Sequence, residues 1–183
     1  MLALRSDVDV VALRGNVPTR MRKVDEGQVH AAILAAAGVH RLGATADIAS
    51  YLDAPDWLPA AGQGAIAVEI REDDAAMREL LIPLHDVETA IQVRAERAFL
   101  GALEGGCQVP IGALVVAAKH GHTLHGFIAD IHGRQIVRGE HAVDDANPEL
   151  GGIRLANELR RTGATEILEG LRRAEQLPAP QPE

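Results

Sequence analysis

The run Leu103-Glu104-Gly105-Gly106-Cys107-Gln108-Val109-Pro110-Ile111-Gly112 decides how this chain is read. A long helical pattern runs into it and a strand pattern runs out, so it marks the passage from helix to sheet. Two glycines precede the cysteine, and they let the backbone take angles closed to other residues and lie close to another group. Pro110 stiffens the exit and removes a backbone donor. Cys107 is the single cysteine of the 183 residues. A lone cysteine on a short loop is either a small buried thiol that fills space or a chemical anchor or nucleophile. On the residues alone both readings stand.

Working outward, the pattern from 86 to 104 predicts the longest helix. Val87, Ala90, Ile91, Arg94, Ala98 and Leu103 fall near one face, with Glu88, Gln92 and Arg97 off it. Past the cysteine, residues 113–118, 123–130 and 135–143 read as strands, with Gly121 and Gly133 marking the turns between them. These predict a three-stranded antiparallel meander. Asn147-Pro148 opens a helix running to Arg160, Gly163 breaks it, and 164–173 is a last helix. Pro178, Pro180 and Pro182 mark a frayed tail over 176–183.

The first half reads differently. Residues 8–13 (VDVVAL) and 29–35 (VHAAILA) are apolar runs that predict buried strands, with a helix from Pro18 to Glu26 between them. Strand, helix and strand at that spacing form a βαβ unit and a parallel pair. Short helices are predicted near 36–42 and 45–52. Turn chemistry fills 53–64, a natural hinge. Residues 65–70 (AIAVEI) read as a strand, and 73–81 as a helix that Pro83 ends. The fold class is therefore α/β plus α+β: a partial α/β region over 1–84, then an α+β domain over 85–183 that carries the cysteine.

Composition narrows the function classes. The apolar fraction is 47% with only 2% aromatic residues, so the core must be built from Ala, Val, Leu and Ile. A formal net charge of -8 argues against non-specific nucleic-acid binding, which needs a basic footprint. Few aromatics leave no stacking platform for bases. One cysteine permits no internal disulfide, which suits a reducing compartment. No apolar run is long enough for a bilayer, and the first residues lack the layout of a signal peptide. These features predict a cytoplasmic chain with neither nucleic acid nor membrane as partner. His120, His122 and His125 match no zinc spacing, so no metal site is expected.

Four ordered stretches resemble the porphobilinogen deaminase (hydroxymethylbilane synthase) family. They are the Gly-Gly-Cys107 run, residues 13–20 (LRGNVPTR), residues 33–43 (ILAAAGVHRLG) and residues 58–65 (LPAAGQGA). The likeness runs from about Val8 to about Leu171. It implies a periplasmic-binding-like α/β region before the C-terminal domain. It implies a dipyrromethane cofactor, two linked pyrroles joined to the sulfur of Cys107. It also implies stepwise condensation of four porphobilinogen molecules to hydroxymethylbilane with release of ammonia, in tetrapyrrole biosynthesis.

The substrate and the growing bilane carry carboxylates, which planar guanidinium groups match with paired donors. The resemblance places Arg14, Arg20 and Arg41 among the groups that bind cofactor and substrate carboxylates. It gives Gln63 and Gly64 a possible contact with a pyrrole ring. Each of these residues has a bland alternative, a solvated arginine or a structural turn. The family's catalytic aspartate has no counterpart here, because family members carry a whole region before anything seen in this chain. The chain is therefore expected to be the C-terminal part of such an enzyme, without a catalytic residue of its own. The family is monomeric; this chain, lacking that region, is expected to aggregate or to be complemented by it. The rival readings are a catalytically incompetent fragment and a binding module for anionic ligands.

Overall fold

The computed structural model describes residues 1–103, 109–118 and 121–176. Cys107, His120 and the tail beyond 176 lie outside the described residues. The chain divides into two units, 1–53 and 54–183.

The first unit contains α1 (Val17–Asp25) and α2 (Ala36–Arg41), with a 3-10 turn over Thr45–Asp47. Asn16 caps α1 by accepting the Thr19 N–H at 3.0 Å, and Pro18 occupies the first turn, where no donor is needed. The βαβ expectation is corrected here: residues 8–13 and 29–35 form no strand. A strand exists only through ladder bonds to a neighbour, and a lone parallel pair with bare faces is not stable. Val10, Val11 and Ile33 stand 60%, 63% and 50% exposed. The helix expected over 45–52 shrinks to the 3-10 turn.

The second unit opens with an irregular segment over 54–74. Residues 65–70 are unpaired as well, with Ile66 96% exposed, so the strand predicted there is also absent. Helix α3 (Ala75–Leu81) follows, then α4 (Val87–Ala102), capped by Asp86, whose side chain accepts the Thr89 N–H at 2.7 Å. Strands β1 (Ile111–Ala118), β2 (Gly121–Ala129) and β3 (Ile136–Val143) form an antiparallel sheet in the order β1-β2-β3. The β2–β3 turn is held by Asp130, whose carboxylate accepts N–H bonds from His132, Arg134 and Gln135 at 2.9 to 3.1 Å. Helices α5 (Pro148–Leu159) and α6 (Thr165–Gln176) complete the unit. Between them a wide turn over Arg160–Ala164 depends on Gly163, whose φ of 122° excludes ordinary side chains.

One face of the sheet buries Ile111, Ala113, Val115, Leu124, Ile128 and Val143 against α4, α5 and α6. Phe99 of α4, Leu103 at its C-cap and Leu155 of α5 are wholly buried among them. Small residues set the spacing. A methyl at Gly126 would lie 2.7 Å from the Phe99 ring, and one at Gly152 would meet the Ala95 carbonyl oxygen of α4. The buried face of α4 therefore runs through Ala95, Phe99 and Leu103. Val87 and Arg94, expected on that face, are exposed.

Residues 55–62 cross the sheet as a strap. Arg138 of β3 donates to the Asp56 carbonyl at 3.1 Å, and its guanidinium sits 5.5 Å over the Phe127 ring. Further along, Pro59 accepts the Ala113 N–H of β1 at 3.0 Å, Leu58 is buried, and Ala61 packs on the core.

Candidate functional site

The turn from residue 14 to residue 20 is built by local chemistry. The Asn16 cap fixes the start of α1, and one helical turn later Arg20 reaches back. Its Nε donates to the Gly15 carbonyl at 2.8 Å. Lys23 adds a bond from Nζ to the Arg14 carbonyl at 3.2 Å. The Arg20 and Lys23 side chains thus fold back onto the backbone of Gly15 and Arg14.

Arg41 ends α2. A methyl built at Gly38 of that helix would lie 3.3 Å from Val17, the first residue of α1. Residues three apart share a helix face, so Arg41 lies on the face of α2 that meets the start of α1. Next to it, His40 Nε2 is 2.8 Å from the Tyr51 hydroxyl, which pins the end of α2 to residues beyond it. Arg14 precedes the Asn16 cap, Arg20 lies within α1 and Arg41 ends α2, all in the first unit.

The 61–64 turn lies in the other unit. Gly62 and Gly64 have φ of 76° and 87°, and Gln63 donates its N–H to the Ala60 carbonyl at 3.2 Å. Gln63 and Gly64 are exposed. The Gly62 N–H points the other way and donates to Oε2 of Glu96 at 2.7 Å. Oε1 of the same carboxylate accepts the Val115 N–H of β1 at 2.9 Å. Glu96 is only 4% exposed. Burial pushes its pKa above the ordinary glutamate value, and the two N–H bonds oppose that rise. Sequence reading missed it, because a glutamate inside a helix counts as a solvent-facing residue. Its position next to Ala95 and three before Phe99 was the available signal.

The histidines of the sheet pair with carboxylates. His122 Nδ1 is 2.7 Å from Asp145 Oδ1, and its Nε2 is 3.7 Å from Glu88 Oε1. His125 meets Glu140 and His141 meets Glu158, each at 3.2 Å. Among the described residues no group of three or more His, Cys, Asp or Glu is placed to hold a metal ion. No helix among them is long and apolar enough to cross a membrane.

Residues 1–79 match the family model described as "Porphobilinogen deaminase, dipyromethane cofactor binding domain". Residues 90–161 match the one described as "Porphobilinogen deaminase, C-terminal domain". Among curated relatives, the chain is 48% identical over 171 residues to the porphobilinogen deaminase of Syntrophobacter fumaroxidans, covering 93% of this chain and 55% of that protein. It is 47% identical over 173 residues to that of Carboxydothermus hydrogenoformans, covering 94% and 56%. For that of Syntrophotalea carbinolica the figures are 46% over 171 residues, 93% and 54%. The chain spans about half the length of the curated relatives it matches.

Proposed function

From the premise that the chain belongs to the porphobilinogen deaminase family, we propose that it works in the condensation of four porphobilinogen molecules to hydroxymethylbilane. Ammonia leaves at each addition. The observation that carries this reading is the pair of family matches, on 1–79 and on 90–161. The domain organisation we propose follows them: a substrate-site region over 1–84, hinged near 53–64, and a C-terminal domain over 85–183. In the complete protein the first region would be the periplasmic-binding-like α/β layer that its apolar runs suit.

The residues present fit a dipyrromethane in their chemistry. A single thiol offers one point of covalent attachment, and a thioether to Cys107 survives every cycle of extension. Arg14 and Arg20, on either side of the Asn16 cap, suit carboxylates. Arg20 spends its Nε on the Gly15 carbonyl, which fixes the plane of the guanidinium and so orients the donors at its far edge. Arg41, on the adjoining helix end, would serve the same acidic side chains. Bound dipyrromethane would supply the nucleophilic pyrrole on which the bilane is extended. Gln63 and Gly64 offer an amide and a backbone N–H to a pyrrole or its carboxylate. None of these groups is a general acid of the kind that loss of ammonia needs, so we assign no catalytic residue to this chain. We place the protein in the cytoplasm, as a monomer when complete.

Mass spectrometry tests the anchor. The chain, co-expressed with the part of its relatives' length that it does not span, should carry a two-pyrrole adduct. The adduct should vanish in Cys107→Ser. An adduct that survives this change refutes the anchor, and no adduct in either protein refutes the cofactor reading.

A further inference from the structure

Glu96 is a charged side chain in the core whose contacts answer no need of α4 itself. Its two carboxylate oxygens each accept one backbone N–H, from Gly62 at 2.7 Å and from Val115 at 2.9 Å. One donor belongs to the turn that presents Gln63 and Gly64. The other belongs to β1, the strand that leaves the Cys107 loop; α4, which carries Glu96, is the helix that enters it. A single carboxylate therefore ties the turn to both regular elements that flank the cysteine loop. Among the described residues it has no cationic partner, so its contacts there are with backbone groups.

Ala61 packs on the core at the start of this turn, and the other strap hydrogen bonds stop short of it. Asp56 is held through Arg138, and Pro59 through Ala113. Beyond Pro59 the bonds of the turn among the described residues are the internal Gln63-to-Ala60 bond and the Gly62-to-Glu96 bond. Removing Glu96 leaves the turn its shape and the Ala61 packing, and takes away its hydrogen-bonded attachment to α4.

We propose that Glu96 is a positioning residue, a latch that holds the Gln63–Gly64 turn in register with α4 and β1. This rests on the reading of Gln63 and Gly64 as substrate contacts. Glu96 touches no reacting group; it acts through the Gly62 N–H. Protonation loosens the latch, because a neutral carboxyl accepts these bonds more weakly than a carboxylate. The folded pKa lies above the ordinary glutamate value, so the latch weakens as pH falls through that higher value.

Amide exchange read residue by residue tests the latch on the chain as it stands. In the unsubstituted chain, protection at Gly62 should fall as pH is lowered through the carboxyl's titration, while protection at Leu124, in the sheet core, should not. In Glu96→Gln, whose amide offers one acceptor oxygen in place of two, Gly62 should exchange about tenfold faster and lose that pH dependence. Gly62 protection that is unchanged in Glu96→Gln and flat with pH in the unsubstituted chain overturns the proposal. If the variant does not fold, the pH profile of the unsubstituted chain decides alone.

The consequence for the site is read in the protein co-expressed as above. Gln63→Ala should raise KM for porphobilinogen. Glu96→Gln should also raise it, and the double variant should be no worse than Gln63→Ala alone. A KM unmoved by Gln63→Ala refutes the substrate reading of the turn. A KM moved by Gln63→Ala but not by Glu96→Gln refutes the positioning role.

Discussion

Gly152→Ala should destabilise the second unit by about 2 kcal/mol, although it improves the helix it sits in. On propensity alone the change favours α5 by about 1 kcal/mol. Packing decides the sign. The added methyl would land on the Ala95 carbonyl oxygen, 2.6 Å from the Phe99 nitrogen and 3.0 Å from the Ala98 methyl. Two of the three obstructing atoms are backbone of α4, so no side-chain rotation relieves the clash. Ordinary carbon contacts lie at about 3.5–4.0 Å, and the helices must part by about 1 Å. That separation loosens the contacts of Ala95, Phe99, Leu155 and Ala156, all 0% exposed. Overpacking costs roughly 1–3 kcal/mol and occasionally more. With two backbone atoms in the way, about 3 kcal/mol is the fair figure, and propensity returns about 1. Gly170→Ala in α6 is the matched control, since its methyl would meet nothing within 4 Å. It should stabilise by about 0.4–1 kcal/mol. Urea denaturation followed by helical circular dichroism gives both midpoints. A Gly152→Ala chain as stable as the unsubstituted one refutes the close approach of α4 and α5.

His122 titrates with its folded pKa raised above 6.5, first by its bond to Asp145 and further by Glu88, against the opposing effect of burial. Its contribution to stability is fully present below the unfolded pKa and is lost as pH rises through the higher folded value; urea midpoints should therefore decline above pH 6.5 in the unsubstituted chain and decline less in His122→Gln, and equal slopes would exclude the pairing as the cause. Arg14→Lys and Arg20→Lys keep the charge and remove the planar fork. In the co-expressed protein each should raise KM for porphobilinogen about tenfold, the equivalent of about 1.4 kcal/mol, and an unchanged KM removes that residue from the carboxylate site.

The second unit was legible because its signals are local. Gly133 sits between two β-rich runs, Pro148 opens α5, and Gly163 takes the one backbone angle that separates α5 from α6. Each signal acts within a few residues, so tertiary context has little to override. The buried face of α4 was less legible. The row through Ala95 and Phe99 is interrupted by Glu96, and a periodicity count penalises a charge whatever it bonds to. Burial of that charge depends on the Gly62 and Val115 donors, 34 and 19 residues away, and no local pattern encodes such partners. At the candidate site, the Asn16 cap was readable from its spacing to Pro18. The fold-back of Arg20 onto Gly15 was not, since any arginine on an exposed helix reads as solvated.

The three runs that read as strands and are not paired carry a physical argument of their own. Val10, Val11, Ile33, Ile66 and Val68 have side chains suited to a pleated, covered surface, yet each is at least 50% exposed. Secondary-structure propensity is an offer that a neighbour must accept. In the meander each strand finds its neighbour across a short connection, and α4, α5 and α6 cover one face. A parallel strand instead needs crossovers and cover on both faces. The chain spans about half the length of the curated relatives it matches. Exposure on that scale places unpaired edges and apolar side chains at the surface, the condition under which strands add to another chain. The two halves of the sequence thus differ in whether a neighbour among the described residues accepts the preference, more than in how strongly they prefer their structures.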